Sequence, residues 1–175
     1  KATQLPKVPL TEEEYCDALP DILRDSMYMW NIRYKWRFDT PDKAENMIKG
    51  YYRMISTIDQ NLGRLRSFLS EKGIAENTII IFLGDNGYFL GERQLAGKWL
   101  LYENSLRVPL MVYDPSASAR VISDMALNID VAPTVLDFAQ IAIPEGIQGK
   151  SLKSTVQREA VWKEKNFFVS TCMQS

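Results

Sequence analysis

Apolar residues recur at spacings of three and four after Thr40, and this pattern predicts a long amphipathic helix. Thr40 is a suitable N-cap, and Pro41 fits the first helical position, where a missing N–H removes no helical hydrogen bond. Gly73 ends the pattern. The apolar face consists of Ala44, Met47, Ile48, Tyr51, Ile55, Ile58, Leu62, Leu65 and Leu69. The spacing therefore predicts one helix that buries a single face.

An earlier helix is predicted to begin at Thr11, because Thr11 and Glu14 have the spacing of a capping box. Its apolar positions continue towards Trp30 and Tyr34. Pro20 lies inside this span and removes a backbone donor, so we expect either a kink or two separate helices.

Two continuous apolar runs predict buried strands, Thr78 to Leu83 and Val108 to Tyr113. Runs of this kind are typical of strands covered on both faces of a parallel sheet. Pro109 cannot donate to a strand ladder, so it indicates the beginning of its strand or an edge position. Helices and strands alternate along the chain, which predicts an α/β protein.

Downstream, Asp130 is predicted to cap a short helix from Val131 to about Gln140, with Pro133 in its first turn. The segment from Trp162 to Ser170 is predicted to add one more strand.

Composition restricts the possible functions. The 175 residues are 46% hydrophobic and 25% charged, which fits one globular domain or a large piece of one. The net charge of -1 does not favour nucleic-acid binding, and no apolar stretch approaches the ~20 residues of a membrane-spanning helix. Histidine is absent, which excludes Ser-His and Cys-His pairs within the chain. Cys16 and Cys172 fall in no metal-binding or haem motif.

Candidate chemistry is concentrated in the loop between the two predicted strands. Asp85 and Asn86 follow the carboxyl end of the first strand, where open α/β sheets bind their ligands. Their two hard oxygen donors suit calcium or magnesium, although a calcium ion needs about six to eight donors. Lys98, on the same loop, would neutralise an oxygen of an anion. A metal and this lysine together would bind a tetrahedral oxyanion.

Each of these features also has a purely structural interpretation. Asp-Asn-Gly between apolar runs is a strong turn signal. Lys98 alone is compatible with a solvated charge, and Glu92 and Arg93 would pair with each other or with surface neighbours. Asp130 fits a helix cap better than a ligand. The residues by themselves leave these alternatives open.

The segment from Asn77 to Pro115 (NTIIIFLGDNGYFLGERQLAGKWLLYENSLRVPLMVYDP) closely resembles the C-terminal signature of the type I sulfatases. Gly50 to Leu69, Asn128 to Ile141 and Ile147 to Leu152 resemble three further segments of that family in the same order. The resemblance implies an incomplete alkaline-phosphatase-like fold with a central, mostly parallel sheet flanked by helices. It also implies that residues 1–175 are the C-terminal portion of a sulfatase domain.

Carried over position by position, the resemblance implies that Asp85 and Asn86 bind a divalent cation, usually calcium, with magnesium as the alternative. It implies that Lys98 contacts the sulfate of a sulfated carbohydrate or another sulfate ester. Arg93 stands where many relatives have histidine in G-E-H, so a sulfate contact is only one possible role for it. The implied location is periplasmic, secreted or lysosomal.

The family's nucleophile is a Cys or Ser in C/S-x-P-x-R that is oxidised to formylglycine. Neither cysteine has the following Pro and Arg, and Ser116 to Arg120 lacks the proline. We therefore expect the formylglycine in a missing N-terminal part of the same protein, and we expect the isolated chain to be inactive. Two alternatives remain, a phosphoesterase or phosphonate hydrolase of the same superfamily and a non-catalytic divalent-cation-binding module.

Overall fold

The computed structural model describes residues 20–22, 28–98, 100–119 and 121–157. The chain divides into two compact units, the first from Lys1–Lys72 and Asn86–Val108 and the second from Gly73–Asp85 and Pro109–Ser175. Both cysteines, the predicted capping box at Thr11 and the predicted strand from Trp162 to Ser170 lie outside the described residues. Within those residues no helix combines the length and the apolar character that crossing a membrane requires.

Two helices begin the first unit. Helix α1 spans Tyr28–Arg37, which confirms the later part of the first predicted helix, and helix α2 spans Pro41–Glu71. The hydroxyl of Thr40 accepts a hydrogen bond from the Lys43 backbone N–H at 3.4 Å. Gly73, with a φ of 68°, follows the C-cap of α2. The predicted N-cap and stop of the long helix are therefore confirmed.

The apolar face of α2 is buried only near its two ends. Ile48 packs with Tyr34, Phe38 and Ala96 in a buried cluster, and Leu69 is buried near the opposite end of the helix. The middle of the face is open to solvent, with 44–49% exposure at Ile55, Ile58 and Leu65. The prediction of a continuously buried face is wrong for this stretch, because the regular spacing aligns the residues but does not supply a partner.

The long loop of the first unit contains a small antiparallel pair, β2 (Phe89–Leu90) and β3 (Ala96–Gly97). A 3-10 turn, Glu92–Gln94, connects them, and helix α3 (Glu103–Leu106) follows. Phe89 and Leu95 are almost completely buried and pack against Leu100 and Tyr102. The loop is therefore an ordered hairpin with its own apolar cluster.

The second unit contains strand β1 (Ile80–Leu83) paired with β4 (Leu110–Tyr113). The pairing is antiparallel, with Ile80 opposite Tyr113 and Leu83 opposite Leu110. Pro109 directly precedes β4, as predicted, and its carbonyl accepts a bond from the Gly84 N–H at 3.1 Å. Both strand pairings in the described residues are antiparallel, although the apolar runs favoured parallel neighbours. Apolar content reports burial and not direction, and mixed sheets commonly include an antiparallel strand.

In the described part of the second unit, helices α4 (Val131–Phe138) and α5 (Lys153–Val156) follow. The prediction that Asp130 caps α4 with its side chain is wrong. Asp130 ends a 3-10 turn, Asn128–Asp130, in a helical rather than an extended conformation, so its carboxylate cannot reach the first turn of α4. The fully buried carboxylate instead accepts from the Leu127 N–H at 2.9 Å and the Lys150 N–H at 2.8 Å.

Candidate functional site

The first unit brings together two of the predicted site residues, Asn86 and Lys98. The Lys98 ammonium donates to Asn86 Oδ1 at 2.6 Å, across 12 residues of sequence. The hairpin explains this contact, because Phe89 lies opposite Gly97 and the residues that flank the two strands are carried towards each other. The Asn86 amide nitrogen donates to the Gly87 carbonyl at 2.7 Å, which orients its oxygen. A cation therefore contacts the oxygen that was predicted to bind metal.

Gly87 holds the Asn86 segment against helix α3. Its N–H donates to the Ser105 carbonyl at 2.8 Å. A Cβ added at Gly87 would lie 2.0 Å from the carbonyl oxygen of Asn104, far inside van der Waals contact. Glycine is required at this position because the two backbones approach too closely for any side chain.

Asp85 belongs to the second unit, where its side chain is exposed and its backbone is held by Asn128. The Asn128 amide nitrogen donates to the Asp85 carbonyl at 2.9 Å and to the Gly84 carbonyl at 3.3 Å. Sequence reasoning assigned no role to Asn128. A signal was available, since Asn128 begins the N-I-D segment that resembles the sulfatases, but nothing in the local sequence names its partners.

Arg93 occupies a strained turn. It has φ 56° and ψ 27°, and Gln94 follows with φ 53°, so two successive non-glycine residues adopt left-handed conformations. The Arg93 guanidinium lies 5.1 Å from the Tyr102 ring centroid, a cation–π contact. The Glu92 carboxylate accepts from the Leu90 N–H at 2.6 Å and so supports the turn. Such backbone strain is often retained at functional sites.

Asp114, also in the second unit, has a carboxylate that is held by hydrogen bonds to neighbouring residues. Its carboxylate accepts from the Ser116 hydroxyl at 2.6 Å and backbone N–H at 2.8 Å, and from Gln157 at 3.2 Å. The Ser116 hydroxyl is the main reason that the pKa of Asp114 lies below its ordinary value, against an opposing effect of burial. These bonds join the end of β4 to α5.

The described residues supply oxygen donors of the kind that a hard cation prefers, but too few of them to fill its coordination sphere. Asp85 supplies a carboxylate and Asn86 an amide oxygen, both of the type that calcium and magnesium prefer. Among the described residues no group of three or more His, Cys, Asp or Glu side chains is arranged to hold a metal. Because calcium takes about six to eight oxygen ligands, a complete site needs donors beyond these two.

Comparison with known proteins gives a consistent family assignment. The family model for "Sulfatase" matches residues 13–141. The chain is 34% identical over 156 residues to an N-acetylglucosamine-6-O-sulfatase of Bacteroides thetaiotaomicron, covering 82% of this chain and 28% of the relative. The chain therefore spans little more than a quarter of that relative's length.

Two solved structures are also similar. The first is described as a complex with its substrate D-glucosamine-2-N,6-O-disulfate. It is 31% identical, with a TM-score of 0.64 over 82% of this chain and 31% of that structure. The second is a phosphonate monoester hydrolase from Silicibacter pomeroyi. It is also 31% identical, with a TM-score of 0.58 over 61% of this chain and 22% of that structure.

Proposed function

Because the chain belongs to the sulfatase family, we propose that it contributes part of the active centre of a sulfuric ester hydrolase. The predicted alkaline-phosphatase-like α/β fold is confirmed, and the chain covers 31% of the similar solved structure. Since the chain spans 28% of the relative's length, the activity belongs to a protein that also supplies the remainder of the domain. An exported location is part of the proposal and rests on the resemblance alone.

The proposed substrate is a sulfated carbohydrate. Two similarities support this choice, the N-acetylglucosamine-6-O-sulfatase and the structure described with a glucosamine disulfate as substrate. Both cover 82% of this chain, including the loop that carries the candidate site.

Sulfatases generally use a divalent cation and a formylglycine, and we propose calcium, with magnesium as the alternative, as the cation here. Asp85 and Asn86 would hold it through their side-chain oxygens. A cation of this kind, when bound, supplies Lewis-acid stabilisation of negative charge on a substrate oxygen. The Asn86 amide oxygen also accepts from the Lys98 ammonium.

Lys98 would bind and orient the sulfate. Its ammonium has three N–H donors, and the bond to Asn86 uses one of them. The side chain is exposed, so the other two donors can reach an anion from solvent. The 2.6 Å contact between Lys98 and Asn86 is the observation that carries the proposal, because it places an anion-binding group on a proposed metal ligand.

Arg93 is proposed as a second, adjustable contact for the sulfate. Tyr102 supports the flat face of its guanidinium, and a guanidinium binds an oxyanion through its edge N–H groups. The proposed nucleophile, a formylglycine, lies outside these 175 residues, because no C/S-x-P-x-R motif occurs in them. The isolated chain is therefore proposed to bind ligands without turnover.

A phosphonate or phosphate ester hydrolase is the second candidate, supported by the Silicibacter pomeroyi enzyme. That similarity reaches the same identity but covers 61% of the chain, compared with 82% for the structure with the sulfated sugar. The smaller coverage makes it the weaker candidate. A non-catalytic cation-binding module would bind calcium in the complete protein and hydrolyse neither class of ester.

Calcium titration of the complete protein tests the metal assignment. We expect saturable binding that Asp85→Asn and Asn86→Ala each weaken at least tenfold, since the first removes the negative charge of a ligand and the second removes a ligand. Asp59→Asn, an exposed carboxylate on α2, is the matched control and should bind like the parent chain. Equal affinity in all four proteins would contradict the assignment of Asp85 and Asn86.

Hydrolysis assays on the complete protein test the substrate class. We expect it to hydrolyse an aryl sulfate faster than an aryl phosphonate, and we expect Lys98→Met to lower kcat/KM for the sulfate by about a hundredfold or more. A preference for the phosphonate would replace the sulfatase assignment with the second candidate. Sulfate hydrolysis by the isolated chain would show that the proposed external nucleophile is unnecessary.

A further inference from the structure

Asn128 joins a loop of the second unit to the segment that carries Asp85. Its single amide nitrogen donates to two consecutive carbonyls, Asp85 at 2.9 Å and Gly84 at 3.3 Å. The partners lie 43 and 44 residues away in sequence. An amide nitrogen carries two N–H donors, so one side chain can make both bonds. The contact restrains the two peptide groups on either side of the Asp85 α-carbon.

The turn that presents Asn128 is held in place by buried polar groups. The Asp130 carboxylate is fully buried and accepts from the backbone N–H groups of Leu127 and Lys150. Thr134, also buried, donates to the Asp130 carbonyl and accepts from the Leu152 N–H at 2.8 Å. The Asp130 carboxylate thus connects the turn to Leu127 and Lys150, and Thr134 connects the first turn of α4 to Leu152. The backbone at Asn128 is therefore held by buried hydrogen bonds next to it, although the Asn128 side chain is exposed.

We infer that Asn128 is a positioning residue for Asp85, and that the Asp130 turn holds Asn128 in place. The inference rests on the proposed function, since it assigns Asn128 to the same metal site. Asn128 contacts the backbone carbonyl of the proposed ligand. Groups that orient a metal ligand commonly change metal affinity by about 10- to 100-fold when they are removed. Restraining the Asp85 backbone in advance reduces the ordering that binding would otherwise require.

Hydrogen–deuterium exchange on the metal-free chain tests the restraint directly. We expect Asn128→Ala to speed the exchange of amides in residues 84–87 by about fivefold to tenfold, because two hydrogen bonds that resist local opening are lost. Asn77→Ala is the matched control, since Asn77 is an exposed asparagine of the same unit. It should leave these amides unchanged. Unchanged exchange in Asn128→Ala would overturn the inference.

Calcium titration separates positioning from general stability. We expect Asn128→Ala to weaken calcium binding about tenfold, while its urea midpoint stays close to that of Asn77→Ala. Asn128→Gln keeps the amide on a longer side chain and should recover part of the affinity. Asp130→Asn replaces a carboxylate oxygen, an acceptor, with an amide NH2 group, a donor, beside backbone N–H groups. This variant leaves the Asn128 side chain in place and should still speed amide exchange at residues 84–87.

The outcomes distinguish this inference from the proposed function. Faster exchange together with weaker calcium binding supports both. Faster exchange in Asn128→Ala, together with no calcium binding by the complete protein, supports the restraint and contradicts the metal assignment. Normal calcium affinity in Asn128→Ala, with Asp85→Asn impaired, overturns the positioning role and leaves the metal site intact.

Discussion

Gly149→Ala is expected to destabilise the second unit strongly, because a side chain at residue 149 has no space. A Cβ at this position would lie 1.9 Å from the Ile129 carbonyl oxygen, 2.5 Å from its carbon and 3.0 Å from the Asp130 nitrogen. All three are backbone atoms, so no side-chain rotation can relieve the overlap. The two segments would have to separate.

The required separation indicates the energetic cost. Restoring a contact of about 3.4 Å means moving one backbone by about 1.5 Å, which is large in a close-packed interior. Overpacking of this kind typically costs about 1–3 kcal/mol. The same movement would stretch the 2.8 Å bond from Lys150 N–H to Asp130, and a hydrogen bond to a charged group contributes about 1.5–3 kcal/mol. We expect the free energy of unfolding to fall by about 2–4 kcal/mol.

Urea unfolding followed by far-UV circular dichroism measures this loss. With a slope of about 2 kcal/mol/M, the midpoint should fall by about 1–2 M. Gly146→Ala is the matched control, because nothing lies within 4 Å of a Cβ at that nearby position. It should shift the free energy of unfolding by less than ~0.5 kcal/mol. Equal midpoints for the two variants would contradict this prediction, since they would show that the segments at Gly149 and Ile129 separate at little cost.

Two further predictions concern other positions. Gly87→Ala should weaken calcium binding at least tenfold, because its Cβ would meet the Asn104 carbonyl and displace Asn86. Gly63→Ala is the control, because a Cβ in the interior of α2 has open space there. It should stabilise the chain by about 0.5–1 kcal/mol and bind calcium normally. Because folding lowers the pKa of Asp114, the unfolded state binds more protons in acid than the folded state does. The stabilising contribution of Asp114 is therefore complete above about pH 5 and is lost as the pH falls through the folded-state pKa. Urea midpoints from pH 6 to pH 3 should therefore fall less steeply for Asp114→Asn than for the parent chain, and parallel curves would contradict this assignment.

Local signals in the sequence predicted the elements that depend on neighbouring residues. The beginning of α2 followed from Thr40 and Pro41, and its end followed from Gly73, because capping and backbone conformation are determined within a few residues. The position of Pro109 before β4 was likewise predictable, since proline lacks the donor that a central strand position needs.

Features that depend on distant partners were not predictable in this way. The antiparallel direction of β1 and β4 depends on how the intervening loop returns, and an apolar run is compatible with either direction. Asp130 was assigned to a cap because its local pattern fits one, but its carboxylate is bound by an N–H group 20 residues away. The exposed centre of the α2 face shows the same limit, since periodicity reveals a face but not what covers it.

For the candidate site, the kinds of chemical group could be predicted from the sequence. They are two hard oxygen donors at Asp85 and Asn86 and one cation at Lys98, with no histidine or nucleophile motif in the chain. Which of these groups meet depends on the fold. It placed the Lys98 ammonium on Asn86 and fastened the Asp85 backbone to Asn128. The physical reason is that the type of a side chain decides what it can bind, whereas hydrogen bonds span about 3 Å and connect residues distant in sequence only after the chain has folded.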